Sequence, residues 1–344
     1  MELSLPVVWS DRCLLHEPLE EIWVGVPTPA AETPARALAI RDALDARMVE
    51  AEPHPDEALL AVHDGELLAY LASAWQEWEG AELPDDPGQG RVVPYVFAHR
   101  ELGARRAPTA VWARPGWFAY DTMTLVGPGT WEAARAAADA ALTAVDLVVA
   151  GEPVAYACTR PPGHHVTRSA YGGSCYLNNS AIAASALLDG VEGPVAVLDI
   201  DAHHGNGTQE IFRGRDDVRT GSVHVDPGAG WFPHFLGFAD ESDGANLNLP
   251  LAPGSGDEPW LEAVAELARW AAGAAGLVVA LGVDAAATDP ESPLTASPAA
   301  FREAGRLLGE LSVPTVVVQE GGYDLGTLGE LVRSALLGLE EGRA

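Results

Sequence analysis

Asp199, Asp201 and His203 stand at a spacing of two directly behind the apolar residues Val195, Val197 and Leu198. Gly193 and Pro194 lead into that run, and its β-branched residues suit a strand buried on both faces. In an extended chain, side chains two apart point the same way, so the three polar groups are expected to project together from the strand's carboxyl end. Open α/β sheets bind ligands at that end. Two carboxylates and an imidazole in register make half of a metal site, and Gly205 and Gly207 let the backbone turn closely around it.

The rest of the chemistry follows other apolar runs. Asp201, His203 and Asp284 would supply two oxygens and one nitrogen, leaving positions open for water and a substrate oxygen, as a catalytic zinc requires; ferrous iron suits the same ligands. His164 and His165, after the rigid RPPG turn, could both face the reacting water, one taking its proton and the other protonating a leaving amine. Asp199 is placed to orient one of these histidines and Asn206 the other. Tyr323, lifted by Gly321 and Gly322, would donate a hydrogen bond to the oxyanion formed when water attacks an amide carbonyl. The parts add up to metal-assisted amide hydrolysis.

Positioning them requires strands alternating with helices. Strands are expected at Pro6–Trp9, Val154–Cys158, Val195 onward, Arg219–Val225, Leu277–Gly282 and Val313–Val318. Helices are expected at Thr33–Leu44, across Pro55–Leu71 with a break at His63–Gly65, at Thr130–Val145 with Thr130 as cap, and at Asn179–Leu188. Others are expected in TQEIF, Trp260–Ala275 and Pro298–Leu311. A long loop rich in Glu and Pro separates Trp9 from Thr33, and regularity is lost from Gly80 to Pro115. RPPGHH, DIDAHHGNG, SVHVDP, LGVDAAATDP and EGGYD each follow an apolar strand, so all five should meet along one edge of a mainly parallel sheet with helices on both faces. A single three-layer α/β/α domain spanning 1–344 is expected.

The 344 residues carry a formal charge of −30, from 50 acidic against 20 basic residues, and every basic residue is Arg. Such a surface repels phosphate backbones and anionic lipid, which argues against nucleic-acid and membrane partners. Either solubility with a biased codon usage or steering of cationic ligands accounts for it. Cys13, Cys158 and Cys175 lack metal-finger spacing, and the N-terminus has no secretory pattern, so a soluble, reduced, cytoplasmic protein is expected.

RPPGHH, DIDAHHGNGT, LGVDAAATDP and EGGY resemble the signature segments of the histone deacetylase superfamily, which has the arginase-type α/β fold. DIDAHHGNGTQEIF, FPHFLGF, GPGTWEAA and GGSCYLNN are most similar to the bacterial acetylpolyamine amidohydrolases. The resemblance implies zinc ligands at Asp201, His203 and Asp284, general base and acid duties at His164 and His165, and oxyanion stabilisation by Tyr323. It also implies a structural K+ or Na+ near Asp199, Asp201, His203, Ser222 and Val223, partly through backbone oxygens. Relatives usually carry an aromatic tunnel wall where this chain has Ser174, next to Gly173; Phe232 would be the opposite wall. In the dimeric polyamine enzymes, the loop corresponding to Gly80–Pro115 narrows the entrance and offers a carboxylate, whose place Trp112 takes here. Glu291 falls where a polyamine-selective branch keeps a gatekeeper Glu, and Glu20 and Glu21 could line the rim.

The reading that results is a zinc-dependent deacetylase acting on a small cationic acylated amine such as an acetylpolyamine, and a homodimer. Deacylation of protein lysines or of a bulkier secondary metabolite is the enzyme alternative. Arginase-like two-metal chemistry would need a further carboxylate where Ala286 stands. A silent binding protein would be expected to have lost a ligand, a histidine or Tyr323.

Overall fold

Each strand expected from an apolar run is present in the computed structural model, which describes residues 3–81, 83 and 90–344. In chain order the first half holds β1 (Pro6–Trp9), β2 (Glu20–Trp23), β3 (Val26–Pro29), α1 (Pro34–Ala43), β4 (Arg47–Glu50), α2 (Glu57–Leu60), α3 (Gly65–Glu79), α4 (Pro115–Phe118), α5 (Thr130–Val149) and β5 (Val154–Ala157). The second half holds α6 (Asn179–Leu188), β6 (Val195–Asp199), α7 (Asn206–Phe212), β7 (Val218–Val225), β8 (Asn246–Leu251), α8 (Asp257–Trp270), β9 (Gly276–Leu281), α9 (Pro298–Gly309), β10 (Thr315–Gln319) and α10 (Leu328–Arg343). Of the segment from Gly80 to Pro115, residues 82 and 84–89 lie outside the described residues.

Eight strands form one sheet in the order β4-β1-β5-β10-β9-β6-β7-β8, every pairing parallel. Parallel strands need covering on both faces, and the sequence supplies apolar residues at consecutive positions for that purpose. Val7, Tyr156, Leu198, Val279 and Val317 pack on one side with Ile40 of α1, Trp260 of α8, Phe301 of α9 and Leu331 of α10. Their neighbours Val8, Ala155, Val197, Val278 and Val316 pack on the other with Leu67 of α3, Ala138 of α5 and Ile182 of α6. This is the three-layer α/β/α architecture. Because all strands run the same way, the tips of the adjacent strands β5, β10, β9 and β6 deliver their following loops to one edge.

The fold departs from expectation where elements are exposed or short. The stretch between Trp9 and Thr33 contains an antiparallel hairpin, β2 pairing with β3 from Glu20↔Pro29 to Trp23↔Val26. Strand β4, strand β8 and the long terminal helix α10 carry no expectation from the sequence. At the start of α5 the cap is Gly129, with φ +77°, rather than Thr130. A Cβ at 129 would stand 2.2 Å from the Leu15 carbonyl oxygen, so close approach of the N-terminal segment selects glycine there. Thr130 instead accepts the Gly127 N–H at 2.9 Å and meets His16 Nδ1 at 3.0 Å.

Candidate active site

Strand β6 ends at Asp199, and the next four residues fold back over its tip. His203 Nδ1 lies 3.3 Å from Asp201 Oδ1 and 2.9 Å from Asp284 Oδ2. The remaining carboxylate oxygens are taken by backbone: Asp201 Oδ2 accepts Gly321 N–H at 2.7 Å and Asp284 Oδ1 accepts Ala202 N–H at 2.7 Å. Asp201 and Asp284 are fully buried. Burial, together with the charge of Asp201, pushes Asp284 up to about 7, so the pair repels itself in a way that a cation relieves. Donors held at zinc distance around one tetrahedral ion sit about 3.3 Å apart; His203 stands at that distance from Asp201 and slightly closer to Asp284, and the three donor atoms all lie within 4.8 Å of one another. The donor set therefore fits a divalent transition metal.

Behind the donors, two histidines are oriented through their Nδ1 atoms. His164 Nδ1 is 2.8 Å from Asp199 Oδ2, and His165 Nδ1 is 2.6 Å from Asn206 Oδ1. The rings are 4.0 Å apart between centroids, and His165 also packs edge-on against Phe232 at 4.8 Å. Burial alone would lower His164, but the carboxylates of Asp199 and Asp201 overcome it and raise the group to about 10. Burial lowers His165 well below its usual value, reinforced by the charges of His164 and His203. Tyr323 reaches the same cavity; burial drives its hydroxyl well above the ordinary phenol range, so it remains a proton donor at neutral pH.

The cavity over this floor encloses about 1220 Å³ and is walled by His165, Gly173, Ser174, His203, Phe232 and Tyr323. Ligand cavities run to about 1,000 Å³, so this one is roomy. Glu291 and Glu21 also line it, whereas Glu20 turns away to pair with Arg91. Burial, with the nearby charges of Glu291 and Asp121, pushes Glu21 up to about 7. Trp112, expected at the entrance, is absent from the lining and half exposed; Phe97 of the same segment lines the wall instead. Ser174 and His234 adopt left-handed backbone, at φ +61° and +66°. Asp199 lies opposite Ser222 in the β6–β7 register, and Ser222 Oγ meets His224 Nδ1 at 2.8 Å, with Val223 buried beside them.

Several contributors had no local signal in the sequence. Tyr120 Oη donates to the His165 carbonyl at 3.0 Å, and Asp121 Oδ2 accepts Gly173 N–H at 2.6 Å, which fixes the wall bearing Ser174. Glu320 Oε2 accepts Gly163 and His164 N–H at 2.6 and 3.1 Å and so holds the turn that carries both histidines.

Residues 30–339 match the histone deacetylase domain family. The chain is 37% identical to an acetylpolyamine amidohydrolase of Mycoplana ramosa, over 97% of this chain and 99% of that one. It is 40% identical to an acetylpolyamine amidohydrolase of Burkholderia pseudomallei, over 93% and 94% of the two chains. Its fold matches the crystal structure of acetylpolyamine aminohydrolase from Burkholderia pseudomallei with a TM-score of 0.92 at 36% identity, covering 98% of this chain and 99% of that one. With the signature segments gathered at one sheet edge and these similarities running nearly end to end, the chain belongs to the histone deacetylase family.

Proposed function

We propose that this protein is a zinc-dependent amidohydrolase that removes the acetyl group from the amine of a small cationic substrate, an acetylpolyamine. One observation carries the reading: His203, which forms one donor cluster with Asp201 and Asp284, bounds with His165 and Tyr323 the same cavity that Glu21 and Glu291 line. Full-length relatives named acetylpolyamine amidohydrolases support it. Zinc suits the donor set and ferrous iron remains compatible. Bound at these donors, the ion would polarise the amide carbonyl and acidify the attacking water.

The chain's own groups supply the proton transfers. Asn206 occupies His165 Nδ1, which leaves Nε2 for the cavity, so His165 can take the water's proton and return one to the leaving nitrogen. His164, held by Asp199 and raised to about 10, keeps its proton and supports the acid role from behind. Tyr323 donates to the developing oxyanion. Glu291 and Glu21 receive the distal ammonium of the substrate, while Gly173, Ser174 and Phe232 bound its alkyl chain. Asp199, Asp201, His203, Ser222 and Val223 form the cradle of a structural K+ or Na+. The segment from Gly80 to Pro115 forms an insert at the rim and the contact surface of a homodimer, with Trp112 on it, in a cytoplasmic enzyme.

A second reading rests on the size of the cavity. Trp23, Phe97, Trp231 and Phe235 add aromatic surface to a space that a slender polyamine leaves largely unfilled, which favours a bulkier acylated amine. The deciding experiment compares kcat/KM of the zinc-loaded protein for N-acetylputrescine, N8-acetylspermidine and an acetyl-lysine peptide, with and without chelator. Acetylpolyamines leading by about tenfold, about 1.4 kcal/mol of transition-state preference, with loss of rate on chelation, uphold the first reading. Poor turnover of all three moves the assignment to larger amines.

A further inference from the structure

The loop that carries Tyr323 leaves the sheet after β10: Glu320 N–H still reaches the Leu281 carbonyl of β9 at 2.9 Å and the Gly321 carbonyl accepts Val283 N–H at 3.1 Å, and beyond these side chains anchor it. Gly322 has φ +123°, a conformation that leaves the next residue's direction to its contacts. On one side Arg36 donates from Nε to the Gly322 carbonyl at 2.5 Å and from Nη2 to the Glu320 carbonyl at 2.7 Å, with its guanidinium 4.5 Å from the Tyr323 ring centroid. On the other side stands Asp289, in the loop that follows β9. Its Oδ2 accepts the Tyr323 N–H at 2.6 Å and the Asp324 N–H at 3.2 Å. Its Oδ1 accepts the Glu291 N–H at 3.0 Å. Asp289 is itself only 7% exposed, and its own N–H is tied to the Ala286 carbonyl at 3.0 Å.

We propose that Asp289 is a positioning residue that couples the oxyanion donor Tyr323 to the wall carboxylate Glu291, so that one buried side chain sets the placement of both. This rests on the deacetylase reading above and extends it to a residue that touches neither substrate nor metal donor. The physical requirement is an acceptor with two oxygens. A carboxylate receives three N–H groups from two loops at once; an amide offers one oxygen and turns N–H donors toward the other loop. Whichever loop meets the amide NH2 is repelled, and as it withdraws it carries the shared side chain away from the other, so Asp289→Asn loosens both loops. Asp289→Glu keeps both acceptors and is the conservative rescue.

The test uses the full-length, metal-loaded protein and two readouts. Amide hydrogen exchange is followed in segments 290–292 and 321–325, with β10 and α10 as internal controls for global loosening. Asp289→Asn is expected to speed exchange tenfold or more in both segments together and to leave the controls unchanged. In turnover, kcat is expected to fall tenfold or more on N-acetylputrescine and on the neutral N-acetylbutylamine, and the preference for the charged substrate is expected to shrink. In the Tyr323→Phe background the same substitution should lower kcat less than twofold further, since it acts through the tyrosine. Asp289→Glu should recover more of kcat than Asn does. Exchange that rises in one segment alone, or in neither, overturns the coupling, as does full multiplication of the two kcat losses. If the wild-type protein hydrolyses none of these amides, the substrate reading fails, and the exchange result by itself decides the role of Asp289.

Discussion

A single hydroxyl separates Tyr323 from phenylalanine, and the cavity gives that hydroxyl one chemical use. Tyr323→Phe is expected to lower kcat about a hundredfold or more, the cost of one oxyanion donor, while metal content measured on the purified variant stays at the wild-type level. Unchanged turnover would remove Tyr323 from the mechanism. Glu291 is separable from that chemistry: Glu291→Gln keeps the shape and removes the charge, and is expected to lower kcat/KM for N-acetylputrescine about tenfold while leaving an uncharged acetylamide within about twofold, a difference of roughly 1.4 kcal/mol. At this scale the legible residues are those whose meaning is local. Asp199, Asp201 and His203 announce themselves because strand geometry turns a spacing of two into a shared direction, and Asp284 and Tyr323 because each follows a buried strand. Arg36 and Asp121 could not be read this way. Arg36 reaches the Gly322 carbonyl across 286 positions of sequence, and Asp121 reaches Gly173 across 52, contacts that exist only once the sheet has gathered its loops. Among the described residues of the segment from Gly80 to Pro115, Phe97 lines the cavity and Trp112 does not, a difference that no local pattern in an irregular stretch could signal.

Between elements, glycine sets distances that no other residue permits. Gly321 follows β10 so closely that a Cβ there would stand 2.4 Å from Asp201 Oδ2 and 2.5 Å from Asp284 Oδ2. Gly321→Ala must displace both proposed metal donors at once and is expected to weaken metal affinity about 10- to 100-fold, the range seen when groups supporting ligands are disturbed, as read by competition with a chelating dye. A different pair of elements tests packing alone. Helices α9 and α10 meet backbone to backbone, and a Cβ on Gly338 would lie 1.8 Å from the Arg302 carbonyl oxygen. Gly338→Ala must part the helices and is expected to cost about 1–3 kcal/mol in urea unfolding, with the metal site intact. Elements that bury both faces were readable, because consecutive apolar residues such as Val316, Val317 and Val318 leave little choice. Helix α10 was not, since LGELVRSALLGLEEGR spends Gly338 and Gly342 on contact with α9 and Gly329 on contact with α1, which dilutes the apolar stripe. The β2–β3 hairpin hid for another reason: β2 is mostly half-buried, β3 is largely exposed and carries Pro27 and Pro29, and neither strand has a buried pattern to betray it.

Over the whole molecule the net charge of −30 dominates the exterior, yet the groups that make the fold sensitive to acid are inside. His63 is 1% exposed; its Nε2 accepts the Asn178 N–H at 2.9 Å and its Nδ1 lies 3.0 Å from the Thr167 carbonyl. That pairing requires a neutral ring with the proton on Nδ1, because a second proton would meet a donor. Burial, aided by the charge of Arg168, lowers His63 to about 4. His16 is lowered to about 4 as well, where burial and Arg160 outweigh the opposing carboxylate of Glu32. In the unfolded chain both return to about 6.5, so below that pH the unfolded state binds more protons than the folded one. The stabilising contribution is therefore complete above about pH 6.5 and is lost as pH falls toward 4, at about 1.4 kcal/mol per pH unit for each imidazole. Acid would also release a metal held at Asp201, His203 and Asp284 and add its own slope, so the comparison must isolate one histidine. Measured as the urea unfolding free energy from pH 6 to 4.5, His63→Asn is expected to be less stable than wild type at pH 7 but to show a slope smaller by about 1.4 kcal/mol per pH unit. An unchanged slope would mean that His63 carries a proton in the folded protein, and that the Asn178 N–H has another acceptor.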